Sequence, residues 1–139
     1  MRAGLASIIS APVLHGSTTL AGSTRVPTEI KVHQVSRIVE LTFADGRNFA
    51  LSFEFLRVNS PSAEVRGHGP GQEVLQVGKK NVEITSLEPI GNYAVQPHFS
   101  DGHATGIYSW DYLYDIGMRR DALWKDYLVK LAAAGANRG

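Results

Sequence analysis

From Thr28 onward, apolar and polar positions alternate with a period of two: Ile30 and Val32, then Val39, Leu41 and Phe43, then Phe49, Leu51 and Phe53. Side chains two apart share one face of a pleated strand, so each run predicts a half-buried strand rather than a helix. Between the second and third runs stands Ala44-Asp45-Gly46, and the alternation decides how long that connection is. A two-residue loop sets Leu41 against Ala50 and Phe43 against Asn48, which mixes the faces. A three-residue loop with Gly46 in the left-handed region sets Leu41 opposite Phe49 and Val39 opposite Leu51, so the apolar faces coincide. The second register is the expectation.

Glu54 to Arg57 has room for about one helical turn before Asn59-Ser60-Pro61 stops it, since the residue before a proline avoids helical angles. Ser60 to Gly71 follows as a loop with three glycines in its last five residues. Val82 to Thr85 and Tyr93 to Phe99 read as strands, joined through Glu88-Pro89-Ile90-Gly91-Asn92. The tetrad Phe99-Ser100-Asp101-Gly102 repeats the pattern of Phe43-Ala44-Asp45-Gly46, which predicts a second bulged turn of the same kind. That register puts Phe99 opposite His103 and Val95 opposite Ile107, and turns His103 to the buried face with Phe99, Val95 and Tyr93. Ser109 suits the N-cap of a short helix that carries Trp110, Leu113 and Tyr114 on one face and ends at Gly117. A last helix bears Leu123, Trp124, Tyr127, Leu128 and Leu131 on one stripe, with Asp126 and Lys130 as an outward pair.

The fold class expected is α+β: a small, mostly antiparallel sheet built from two hairpins, packed against a short helix and a C-terminal helix. A single domain over residues 28–131 is expected, with residues 1–27 a disordered N-terminal extension and 132–139 a frayed tail. No acidic residue precedes Glu29, a profile shared with transit peptides, and the apolar run Leu5 to Leu14 is broken by Ser7, Ser10 and Pro12. It is too short to span a bilayer.

Composition narrows the chemistry. With 139 residues, 43% hydrophobic and 19% charged, the chain has the balance of one globular domain. A formal net charge of +1 provides no field to steer nucleic acid or an anionic membrane, so neither is an expected partner. With no cysteine, thiolate nucleophiles, disulfides and thiolate metal sites are excluded, and any ligand set must come from His, Asp and Glu. A cytoplasmic setting agrees with that composition.

Several groups of residues invite a chemical reading. A metal site could be built from His103 and His68 with Asp101 or Glu64, if the glycine loop brings His68 to the second hairpin. The plainer reading makes His103 a core histidine bonded to a backbone carbonyl and leaves His68 exposed. Asp111 and Asp115 lie one helical turn apart, but acids near a helix N-terminus need no cation to explain them. Gly78-Lys79-Lys80 lacks the first glycine of a phosphate loop, whose place is taken by Glu73, and no serine sits in a G-x-S-x-G elbow. Tyr108, Trp110, Tyr112, Tyr114, Trp124 and Tyr127 crowd the C-terminal third, most of them as core. Aromatics and arginines left exposed beside the glycine loop would mark a contact surface, which singles out Arg66, His68 and Tyr112.

The run Asp101-Gly102-His103, with Ile107-Tyr108-Ser109-Trp110 and Tyr112-Leu113, together with Leu56-Arg57 and Ser60-Pro61-Ser62-Ala63-Glu64-Val65-Arg66-Gly67-His68-Gly69, resembles the N-terminal domain of gamma-butyrobetaine hydroxylase. The resemblance covers about Val26 to Leu131 and extends to stand-alone bacterial domains of unknown function. It implies a structural zinc held by three cysteines in a C-x-C-x-x-C run and by the histidine of the Asp-Gly-His turn. Those positions fall here on Ser60, Ser62, Val65 and His103, so three of the four ligands are missing. The oxygenase half of such enzymes is a separate jelly roll with a His-x-Asp/Glu motif. None of His15, His33, His68, His98 and His103 is followed two residues later by Asp or Glu. The expectation is therefore a non-catalytic accessory or protein-interaction module, not an enzyme, with no cofactor and a protein partner. The alternative is an iron- or zinc-binding protein using His68 and His103. The domain also resembles the tail of some ATPases that handle iron-sulfur clusters, which would link that alternative to the same task.

Overall fold

A computed structural model describes residues 6–9 and 25–139 of the chain. Strands β1 (Ala6–Ile9), β2 (Pro27–His33), β3 (Ile38–Phe43) and β4 (Asn48–Ser52) form one antiparallel sheet in that order. Helices α1 (Phe53–Val58) and α2 (Ala63–Arg66) follow. Strands β5 (Ile84–Ile90), β6 (Ala94–Phe99) and β7 (Tyr108–Ser109) make a second antiparallel sheet, and α3 (Trp110–Met118) and α4 (Arg120–Ala133) complete the chain. The architecture is α+β, as expected, but the two hairpins lie in two separate antiparallel sheets rather than in one. Of the segment 1–27, Ala6–Ile9 pairs with β2. The expected disorder of the remainder falls mostly outside the described residues.

The first hairpin has the expected register. Leu41 pairs with Phe49 and Val39 with Leu51. Gly46 has φ +91°, and its amide closes the turn on the Phe43 carbonyl at 3.0 Å. Phe53 does not continue β4. Ser52 caps α1 by accepting the Phe55 amide at 2.9 Å, and Phe53 becomes the first, fully buried residue of that helix.

The second hairpin repeats the turn but not the whole register. Gly102 again has φ +91°, and Phe99 donates its amide to the His103 carbonyl at 3.0 Å. Beyond it, however, Val95 pairs with Tyr108 instead of Ile107. Carried on, the expected ladder needs Pro97 to donate an amide hydrogen, which proline lacks. The strand opposite loses its pairing there, and the Gln96 side chain reaches the Ala104 carbonyl in place of a ladder bond. One residue is absorbed between Ala104 and Ile107, so Ile107 ends half exposed. Tyr93, expected on the buried face, is 53% exposed in the turn before β6. Strand β5 also continues through Pro89, which its edge position tolerates.

Both sheets share one apolar core with α1 and α3. Ile30, Val39, Leu41 and Leu51 from the first sheet meet Phe53 and Phe55 of α1, Ile84, Val95 and Tyr108 of the second sheet, and Trp110 and Ile116 of α3. Ser109 caps α3 through the Tyr112 amide, as expected. Gly117 does not end that helix. It lies inside α3 because a β-carbon there would stand 2.7 Å from the Phe49 ring, so its smallness serves packing rather than termination. On α4, Tyr127 and Leu131 are buried, whereas Leu128 is 40% exposed.

The C-terminal residues are held rather than frayed. Asn137 and Arg138 accept the Gly78 and Lys80 amides through their carbonyls, and Arg138 makes two bonds to the buried Glu54 carboxylate at 2.9 and 2.7 Å. A buried charge without a partner is costly, which explains why the tail is tied down. Among the described residues, no helix is long and apolar enough to cross a membrane.

Candidate functional site

The residues singled out in the sequence converge where the loop after α1 packs against the second hairpin. Asn59 ends α1 by giving its amide to the Phe55 carbonyl, and Pro61 prevents continuation. Ser62 then caps the single turn of α2 by accepting the Glu64 amide at 3.2 Å. The loop thereby turns back over the Asp101-Gly102-His103 turn.

His103 is buried, with 6% of its surface exposed. Its Nδ1 lies 2.9 Å from Glu64 Oε1 and its Nε2 2.8 Å from Ser60 Oγ. A carboxylate can only accept, so Nδ1 carries the proton and Ser60 donates its hydroxyl hydrogen to Nε2. Ser60 Oγ in turn accepts the Ser62 amide at 3.2 Å. The histidine is thus a core residue, as the plainer reading held, but its partners are two side chains rather than a backbone carbonyl. Burial pushes its pKa below the ordinary value, and Arg57 nearby acts in the same direction, outweighing the pull of Glu64 and Asp101.

Asp101 supports this turn from outside. Its Oδ2 accepts from Arg57 Nε at 2.9 Å and Lys79 Nζ at 2.6 Å, and its Oδ1 accepts the His103 amide at 3.2 Å. Burial pushes the carboxyl up, but Lys79, the His103 amide and Arg57 together outweigh it and hold the pKa at about 2. The Arg57 guanidinium is itself buried, and its Nη1 has no partner among the described residues.

The connectivity Ser60–His103–Glu64 is that of a hydrolytic triad, but Ser60 has no exposed surface, so a reacting carbon has no path to Oγ. The positions Ser60, Ser62, Val65 and His103 do not fit a zinc ion either. Two are neutral hydroxyls, one is a buried hydrocarbon, and both imidazole nitrogens are already bonded. His68 is exposed and is not a partner of His103. Among the described residues, no group of three or more His, Asp and Glu side chains could hold a metal.

Arg66 and Tyr112 do come together. The Arg66 guanidinium lies 5.8 Å from the centre of the Tyr112 ring and donates to its hydroxyl, while that hydroxyl donates to the Asn59 carbonyl. Beside them runs a groove of about 360 Å³ between the loop and α4, lined by Val58, Val65, Arg66, Val74, Leu123 and Tyr127. The roles of Arg57 and Thr105 were not legible in the sequence. Only the charge pairing of Arg57 with the repeated Asp-Gly turn could have pointed to the first.

Two proteins with solution structures determined by NMR are similar to the chain. One has 48% identity and a TM-score of 0.72, covering 83% of this chain and 90% of that one. The other has 45% identity and a TM-score of 0.69, covering 92% and 91%. A crystal structure of a DUF971 family protein of unknown function from Acidithiobacillus ferrooxidans is 42% identical, with a TM-score of 0.55 over 66% of this chain and 91% of that one. No curated protein matches the chain. The family model described as gamma-butyrobetaine hydroxylase-like, N-terminal, matches residues 30–114, which hold both hairpins, the loop and most of α3, and the chain accordingly belongs to that family.

Proposed function

We propose that this domain is a non-catalytic protein-contact module whose working surface is the Arg66–Tyr112 corner and the groove beside it. The observation that carries this reading is the state of Arg66. Its guanidinium is exposed at the rim of a groove lined by both apolar and polar side chains, Glu73 and Asp126 among them, and is oriented by an aromatic ring, and it has no carboxylate partner within salt-bridge distance among the described residues. Arginine and tyrosine held in one geometry lose little conformational freedom on binding, which is why such pairs dominate contact surfaces. The sealed Ser60 hydroxyl and the doubly bonded His103 support a contact role over a chemical one. His68, exposed on the same loop, is the third member of the surface. On this reading the family's zinc ligands have been exchanged for groups that bond to one another.

Affinity capture with the full chain tests it, comparing wild type with R66A, H68A and Y112F. Loss of one and the same bound protein from R66A and Y112F, with cooperative melting showing both variants still folded, is the expected result. Equal capture by wild type and both of those variants would move the surface elsewhere.

A further inference from the structure

Beneath the contact corner lies a ring of hydrogen bonds that no single element could make. Ser62 Oγ is 2.7 Å from Thr105 Oγ1, and Thr105 Oγ1 donates to Glu64 Oε1 at 3.1 Å. Glu64 Oε1 also receives His103 Nδ1, His103 Nε2 receives Ser60 Oγ, and Ser60 Oγ receives the Ser62 amide. The direction of every bond is fixed by its partners. Because Thr105 gives its hydrogen to the carboxylate, Ser62 must donate to Thr105, and the Ser62 oxygen then accepts the Glu64 amide. Every polar atom in the ring is satisfied, and two branches end on the same oxygen.

We propose that Ser60, Ser62, Glu64, His103 and Thr105 form a metal-independent clasp, closed on Glu64 Oε1, that fastens the loop after α1 to the second hairpin, and that this loop opens as one local unit when the clasp is broken. Three facts support a clasp over incidental contacts. First, the ring joins residues about forty positions apart in the chain, and the loop crosses to the hairpin through side chains only. Second, Ser60 and His103 are buried while Glu64 and Thr105 are exposed, so the closure is reachable from solvent without disturbing the core. Third, Gly106 packs so close to Ser60 that a β-carbon there would stand 2.4 Å from Oγ, so the hairpin is shaped to seat this hydroxyl. The loop beyond depends on the seating, since Val74 donates to the Val65 carbonyl and Tyr127 to the Gln76 carbonyl. The clasp stands whether or not Arg66 meets a partner.

Amide hydrogen exchange on the intact chain tests this, because local opening and global unfolding have separate signatures. The reporters are the bonded amides of Val65, Arg66, Gly67 and Val74, with Val39 and Leu41 of β3 as the reference. E64A should speed exchange of the reporters at least tenfold and leave the reference unchanged. T105V should act in the same direction through another member of the ring. E64Q keeps an acceptor oxygen and should stay within about threefold of wild type. Added EDTA should change nothing in wild type. Unchanged reporters in E64A and T105V, equal acceleration of reporters and reference, or acceleration of wild type by EDTA would each overturn the proposal.

Discussion

Replacing Asp101 by Asn removes a charge while keeping the shape of the turn, and its cost can be worked out from the carboxylate's surroundings. Asp101 Oδ2 faces Arg57, whose side chain is 8% exposed, and Lys79, at 2.9 and 2.6 Å. The fall in its pKa from 3.8 to about 2 corresponds to about 2.4 kcal/mol of stability at neutral pH. The Asp101 side chain is 24% exposed and that of Lys79 21%, so water reaches part of the pair. Screening reduces the working value to about 1–2 kcal/mol. The loss is felt by an Arg57 that already has one nitrogen without a partner. The folded-state pKa is the depressed one, so the contribution is full above pH 4 and disappears as pH falls towards 2. Urea unfolding of wild type and D101N at several pH values measures it. With an m-value of about 1.5 kcal/mol/M, the midpoints should differ by about 1 M at pH 7 and by about 0.3 M or less at pH 2. A difference at pH 7 below about 0.2 M, or one equally large at pH 2, would refute the assigned role of Asp101.

Three further outcomes follow from the packing. His103 has a depressed pKa, so its stability contribution is complete above pH about 6.5 and declines as pH drops below it. The urea midpoint of wild type should therefore fall between pH 7.5 and 5.5 relative to that of H103Q, and a relative rise would contradict the neutral, buried imidazole. G117A gains about 1 kcal/mol of helix propensity but drives a methyl into the Phe49 ring. A net loss of about 1–2 kcal/mol by thermal unfolding is expected, whereas a stabilised variant would show that the ring yields freely. R138A leaves Glu54 buried without its cation, and chemical denaturation should show a loss of about 1–3 kcal/mol. A neutral result would mean that the tail is not needed to satisfy that carboxylate.

The register of the first hairpin was legible because strand pairing on a half-buried sheet has a period of two. Once Leu41 and Leu51 must both face inward, only one turn length serves, and Gly46 supplies the backbone for it. The second hairpin carried the same turn but was misread beyond it. Pro97 removes a ladder donor at a position where the side-chain pattern alone shows nothing amiss. Gly117 is a similar case. A glycine near the end of a helix resembles a stop, and only the approach of Phe49 from another strand shows that it serves close packing.

The sequence by itself determined the α+β class, the cap at Ser109, the buried setting of His103 and the absence of thiolate chemistry. These depend on residue type and on neighbours within a few positions. Tertiary structure decided which groups meet His103, that Ser60 is sealed, that Arg66 lies against Tyr112, and that the C-terminal residues close over Glu54. Each of those contacts joins residues roughly forty or more positions apart, and no local period or propensity encodes a distance between side chains on separate elements. They follow from how two sheets and four helices settle around one core.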